Sequence, residues 1–358
     1  MRPLARATGL EPATTGSTVR YSNQIELHPL AGTRPPLTAM DRAKDSIPPG
    51  EAVKTFPFFS KAMHLGASPA IFPPMGPPQK WIVFCADDLG ISAGTNEGIR
   101  RAFEAGLVRE SSLCVTGKAW EEGLDLVRSV HPELGMGLHL SFTLGKALTG
   151  PIPHLTDENG IFHPLPQVLK ACIRKRLDPQ AIEAEIRAQM ERACLGVPLL
   201  THFNGHHHVH VFPQIRDMVI KVLRQTSIPW IRLPIEAPQL KTALSPRRLL
   251  LARFGKKFRR MAPDLSLPPE GAAFLGLSGY NQRNYQGFFL KQIDRLRSNK
   301  AEWMVHPRVE DGDFAALDHH KRGEYSNFAK ECQTLADSGF VDKVLSRGIR
   351  PSRFGEIG

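Results

Sequence analysis

No window of the 358-residue sequence approaches the roughly 18 uncharged apolar residues that a membrane-spanning helix needs. The N-terminus has no apolar run after Arg2 and Arg6, which argues against a secretory signal. Cysteine is scarce: Cys85, Cys114, Cys172, Cys194 and Cys332 are widely spaced, odd in number and form no CxxC pair. They read as free thiols of a reducing cytoplasm. Internal repeats are absent. A balance of 41% hydrophobic and 23% charged residues excludes a wholly disordered, collagenous or disulfide-dense chain. The length suits two average domains, or one α/β barrel with an appendage.

Acidic residues are in deficit, and the net charge is +11. The surplus is local. Residues 1–79 contribute +3, and the stretch 241–260 holds eight Lys/Arg and no Asp/Glu. A patch of this kind differs from a general nucleic-acid-binding surface, and no nucleic-acid motif surrounds it. No nucleic-acid partner is expected. Spaced apolar residues from Leu244 to Met261 recur among its cations near a helical period. Two readings stay open for 241–261. It could be an amphipathic basic helix in peripheral contact with an anionic membrane, or a helix that packs its leucines on the protein and leaves its charges in water.

Residues 1–79 carry 13 of the 30 prolines and no amphipathic period. Such a segment cannot bury enough apolar surface to offset its ordering entropy, so a disordered extension is expected. Gly9-Leu10-Glu11-Pro12 resembles the translation of an antisense tRNA gene. That would fit a start codon placed too far upstream, with Met40, Met63 and Met75 as other starts; a genuine flexible tail is the alternative.

From residue 80 strands and helices alternate. Trp81–Ala86 is a short apolar run of buried-strand type, and Thr95 is expected to cap the helix that Gly106 ends. Strands are expected at 112–115, 134–142, 199–203, 230–233 and 302–305. Helices are expected at 119–129, from Asp178 and Pro179 to Gly196, at 213–225, 241–261 and 288–297, and at 324–337 before a stop at Gly339. The pattern predicts an α/β fold: a single (β/α) barrel-like domain over 80–358 behind the extension 1–79.

Three clusters after predicted strands could carry chemistry. Asp87-Asp88 places two carboxylates side by side at a strand end. They either satisfy a helix N-terminus or combine a metal ligand with a general base. His139 alone reads as a core histidine or a ligand. His202 and His206-His207-His208-Val209-His210 put five imidazoles within nine residues. That is a solvated loop or a metal site, and on an extended segment His206, His208 and His210 face one way. His306 is a fourth strand-end histidine. In a parallel barrel these strand ends converge on one face. One Asp and two His would leave open positions for water, the layout of a catalytic metal site and of metal-assisted hydrolysis of an amide or ester.

Ala86-Asp87-Asp88-Leu89-Gly90-Ile91-Ser92, Asn96-Glu97-Gly98-Ile99, Gly137-Leu138-His139-Leu140, Thr201-His202 with His206-His207-His208-Val209-His210, and His306-Pro307 resemble, in order, the motifs of the YdjC-type carbohydrate (chitooligosaccharide) deacetylases. The resemblance implies a (β/α)-barrel-like fold and removal of acetyl groups from N-acetylated sugars with a divalent metal. Magnesium is the usual family assignment, while two imidazoles and one carboxylate suit zinc, cobalt, nickel or manganese better. It implies Asp88, His139 and His206 as metal ligands, Asp87 as general base and His306 as acid. One departure stands out. The family usually has Asp-Ser where Asn204-Gly205 stands here. The basic segment and Phe274-Leu275-Gly276-Leu277 resemble the subgroup associated with hopanoid biosynthesis, which implies an N-acetylglucosaminyl glycolipid substrate. The expected location is cytoplasmic, with possible contact at the inner membrane face, and a homo-oligomer is compatible with the sequence. The rival reading is a non-catalytic metal- or sugar-binding barrel. Asp87 speaks against it, because a storage site gains little from a second carboxylate beside the ligand.

Overall fold

The computed structural model describes residues 80–197, 199–236, 245–278, 282–312 and 322–358. The expected disorder of 1–79 and the start of the basic segment, 241–244, lie outside the described residues.

The apolar run at Trp81 forms β1 (Lys80–Leu89), the central strand. Around it stand β2 (Val108–Leu113), β3 (Gly135–Leu140), β4 (Phe203–Gly205), β5 (Ala273–Leu275) and β6 (Lys300–Val305). The order is β4-β3-β2-β1-β6-β5, and every pair is parallel. A seventh strand, β7 (Ile349–Pro351), pairs with Lys80–Ile82 at the start of β1. The ends of the row are joined across segment 231–236. Ile231 bridges to Phe203 of β4, and Glu236 bridges to Phe274 of β5. The curled sheet is thereby drawn into a barrel, the fold class the alternation implied. The segment expected as a strand at 230–233 makes only the Ile231 bridge.

The helices between strands are α1 (Ala93–Glu104), α2 (Trp120–Val130), α3 (Leu165–Ile173), α4 (Pro179–Ala193), α5 (Ile215–Leu223), α6 (Pro246–Met261), α7 (Tyr285–Arg295), α8 (Arg322–Leu335) and α9 (Ser338–Leu345), and α10 (Phe354–Ile357) follows β7. Ser92, not Thr95, is the N-cap of α1: its hydroxyl accepts from the Thr95 amide at 3.3 Å. Gly106 follows the C-cap with φ 97° as expected. Asp178 caps α4 with Pro179 in its first turn. Gly339 ends nothing. Asp337 caps a new helix there, its carboxylate accepting from the Phe340 amide at 2.8 Å.

Strand alternation sorts the side chains into two sets. Ile82, Phe84 and Ala86 of β1 face the helices in the main core, where Phe84 stacks on Trp303. Val83 and Cys85 face the barrel interior with Trp230, Phe354 and Ile357. Phe354 of α10 closes the interior from the end where the strands begin. Its ring stacks on Trp230 at 5.0 Å and lies 4.6 Å from His202.

Candidate metal centre and active site

Strict alternation would send Asp87 and Asp88 to opposite faces of β1. The register with β2 slips between Ala86 and Leu89, so β1 carries one extra residue there. That bulge, with Asp88 in the left-handed region at φ 74°, turns both carboxylates inward. Both are buried.

At the same end of the barrel His139 closes β3 and His206 follows β4. One donor atom from each of Asp88, His139 and His206 lies within 4.8 Å of the others. Asp88 Oδ1 is 3.1 Å from His139 Nε2 and 3.1 Å from His206 Nδ1. Asp88 Oδ2 is held by the buried Arg308, whose Nη2 is 3.4 Å away and whose Nε donates to Thr95 Oγ1 at 3.0 Å. Gly98 permits this placement. A Cβ there would stand 2.5 Å from Arg308 Cα.

These residues fit a divalent cation. Donors bound at about 2.0–2.2 Å to one ion lie roughly 3–3.5 Å apart, the spacing seen here. His139 Nε2 is buried and makes no hydrogen bond, while Nδ1 is 2.7 Å from Asn204 Oδ1. The carbonyl oxygen can only accept, so Nδ1 carries the proton and the Nε2 lone pair faces Asp88. Burial would lower the basicity of His139, but Asp87 and Asp88 outweigh it and hold a proton on the ring above the ordinary histidine range. Burial would likewise raise the Asp88 carboxyl, yet His139 and His206 hold it well below the usual range. Negative charge at this spot is what a cation would relieve.

Asp87 is not part of that triad. It lies on the Nδ1 side of His139, where its Oδ1 accepts from Ser112 Oγ at 3.1 Å, Asn204 Nδ2 at 3.1 Å and Arg232 Nη2 at 2.8 Å. Arg232 Nη1 donates to Oδ2. Arg232 is itself fully buried and also engages Glu302, which accepts from Trp230 Nε1 at 2.9 Å. Burial pushes the Asp87 carboxyl up; the Arg232 guanidinium and the nearby His139 overcome that and keep it ionised.

His306 follows β6 and does not join the triad. Its ring packs against Phe328 at 5.5 Å, and its backbone amide donates to Glu331 at 3.3 Å. Burial lowers its pKa to about 4, against the pull of Asp88 and Asp87.

The other histidines depart from the extended reading. His206–Val211 is a tight 3-10 turn with His207 and His208 at φ 53° and 60°. Histidine is among the residues that tolerate this region. The turn separates the rings. His206 enters the centre, and His207 Nδ1 meets Thr143 Oγ1 at 3.0 Å. His208 and His210 are buried, with His210 Nε2 donating to the Arg232 carbonyl at 2.9 Å. Burial drives the pKa of His210 down to about 3. His202 lies deeper in the barrel, its Nε2 3.3 Å from Cys85 Sγ.

Arg232, Glu302 and Arg308 were not singled out in the sequence. Arg232 and Glu302 are charged residues inside apolar strand-like runs, Ile231-Arg232-Leu233 and Ala301-Glu302-Trp303. A charge at such a position signals an interior ion pair.

The fold is a parallel α/β barrel that carries an Asp-His-His cluster with the spacing of metal ligands at its C-terminal strand ends. Within it, residues 81–345 match the family model described as YdjC-like protein, and the chain belongs to that family. It is 36% identical over 153 residues to the carbohydrate deacetylase of Brevibacillus brevis, covering 43% of this chain and 59% of that protein. Against the carbohydrate deacetylase of Vibrio cholerae it is 36% identical over 148 residues, 41% of this chain and 57% of the relative. These matches span less than two thirds of those relatives. The carbohydrate deacetylase of Geobacillus stearothermophilus is 29% identical over 279 residues, 78% of this chain and 98% of its own. Among solved structures, a putative cellobiose-phosphate cleavage protein from Enterococcus faecalis shares the fold. The TM-score is 0.63 at 19% identity, over 78% of this chain and 99% of the other.

Proposed function

We propose that the protein is a metal-dependent hydrolase that removes the acetyl group from an N-acetylhexosamine unit. The observation that carries this reading is the convergence of Asp88, His139 and His206 donors within 4.8 Å, with a second carboxylate behind His139. Family membership and relatives named carbohydrate deacetylases support a sugar substrate. Two imidazoles and one carboxylate suit zinc, cobalt, nickel or manganese better than magnesium. When bound, such a cation would polarise the acetamide carbonyl and acidify a water molecule.

The chain's own residues supply the rest. Arg308 occupies Asp88 Oδ2 and leaves Oδ1 to face the two imidazoles. Asp87 is the general base. Its Oδ1 accepts from Ser112, Asn204 and Arg232, with Cys85 Sγ at 3.7 Å, while Oδ2 accepts from Arg232 and is the oxygen that would take the proton. His306 is neutral at pH 7, with a pKa of about 4. To protonate the leaving amine it would first take up the proton that Asp87 accepts from the attacking water. A hopanoid-linked N-acetylglucosamine is the finer substrate reading, supported by the basic helix α6.

Acetate release from a panel of N-acetylglucosamine conjugates, measured beside metal content, tests the proposal. Acetate from at least one conjugate, abolished by chelation, is expected. Metal binding with no acetate from any conjugate would instead support a non-catalytic metal- or sugar-binding barrel.

A further inference from the structure

Asn204 stands where the resembling motif carries an aspartate, and its contacts give that exchange a chemical meaning. The residue is fully buried on β4, directly opposite His139 in the ladder with β3. Its carbonyl oxygen is 2.7 Å from His139 Nδ1, and its amide nitrogen is 3.1 Å from both Asp87 Oδ1 and Ser112 Oγ. The carbonyl oxygen and both N–H donors therefore each meet a partner, three of the four hydrogen bonds a side-chain amide can make. The opposite amide orientation would set two acceptors against each other at Asp87. The contacts thus fix which end is nitrogen.

A carboxylate at 204 could keep only half of this pattern. It would accept from His139 Nδ1 but would have nothing to donate to Asp87, and it would put a second negative oxygen beside Asp87 Oδ1. We infer that Asn204 is a positioning residue that couples the two halves of the centre: its oxygen fixes the tautomer and orientation of His139, and its N–H orients the Asp87 carboxylate. The inference rests on the proposed roles of His139 as ligand and Asp87 as base. It assigns Asn204 no contact with substrate or metal.

Two substitutions separate the functions. Asn204→Asp keeps the acceptor for His139 and removes the donor to Asp87. Asn204→Ala removes both. Zinc affinity is read by chelator competition on the metal-free protein, kcat and KM on the conjugate that releases acetate, and thermal unfolding on all forms. For Asn204→Asp, zinc affinity should stay within about threefold of the parent or tighten. Its kcat should fall at least about tenfold, with KM little changed. For Asn204→Ala, zinc affinity should weaken about 10–100-fold, the usual loss when a metal ligand's orienting partner is removed. A purely structural role would lower the melting temperature of both variants without splitting affinity from kcat. Parental kcat in Asn204→Asp, or parental zinc affinity in Asn204→Ala, overturns the inference, and each variant decides one half by itself. Failure of the underlying reading looks different: Asp88→Ala would still bind zinc, or Asp87→Asn would still turn over.

Discussion

Asp88 holds φ 74°, a conformation that costs of order 1–3 kcal/mol in a residue with a Cβ unless its surroundings compel it. What compels it is the bulge that turns two adjacent carboxylates to one side. Their roles should separate on mutation. Asp88→Ala, His139→Ala and His206→Ala should each lose bound metal and activity together, as read by elemental analysis and acetate release. Asp87→Asn should keep its metal while turnover falls about 10² or more. Near-parental turnover in Asp87→Asn would remove Asp87 from the chemistry. Glu331 offers a second test at this scale. It is buried beside His306, and burial raises its pKa to about 8. The folded protein keeps a proton that the unfolded chain releases above about pH 4.5, so this group's contribution to stability declines as pH rises from about 4.5 to 8. Glu331→Gln does not titrate. Its melting temperature should match the parent near pH 4.5 and exceed it near pH 8. A difference that does not change with pH would contradict the assignment. The candidate residues themselves were legible because carboxylates and imidazoles at strand ends are conspicuous. The bulge was not, since nothing in Asp87-Asp88 announces an extra residue in the ladder.

At the scale of elements, α6 decides between the two readings of the basic segment's packing. Leu251, Gly255 and Phe258 are buried, and Phe254 packs on Phe212 at 5.7 Å. Most of the apolar face therefore lies against the barrel, with Leu249 left exposed. Arg248 is also buried, paired with Glu236 at 2.8 Å. What faces outward is a stripe of Arg253, Lys256, Lys257 and Arg260 at i, i+3, i+4 and i+7 spacing. Contact of α6 with an anionic membrane would be chiefly electrostatic, at about 1 kcal/mol per cation. Changing those four residues to Gln should abolish sedimentation with anionic vesicles at low salt while acetate release from a soluble conjugate persists. Parental protein that fails to sediment would end the membrane proposal. The short elements were the ones hidden in the sequence. β5, β7 and α10 span only three or four residues each, too few for a period to emerge. Yet α10 is important to the fold through Phe354. Phe354→Ala should cost about 3–5 kcal/mol in a denaturant titration; a loss under about 1 kcal/mol would mean that α10 is not a plug.

Across the whole molecule, the barrel interior joins an apolar plug of Val83, Trp230, Phe354 and Ile357 to a polar column. Inward positions two residues apart supply it: Cys85 and Asp87, Glu110 and Ser112, His202 and Asn204. Its ion pairs, Asp87–Arg232–Glu302, are desolvated and mutually compensated. The main apolar core lies outside the strands, beneath the helices. The parallel α/β architecture and the converging C-terminal ends were readable from the alternation of elements; the strand order was not, with β5 and β7 hidden. The interior column was not, because it depends on which strand face points inward, and that is settled only when the sheet curls. Among the described residues no helix is long and apolar enough to cross a membrane. The central claim is that metal held by Asp88, His139 and His206 makes this barrel a deacetylase. It is tested most directly by titrating metal-free protein with zinc and following acetate release from N-acetylglucosamine conjugates at each loading. The account predicts release that rises in proportion to bound metal, levels off at about one ion per chain and is absent in Asp88→Ala. Full activity in the metal-free protein, or full loading with no acetate from any conjugate, would contradict it.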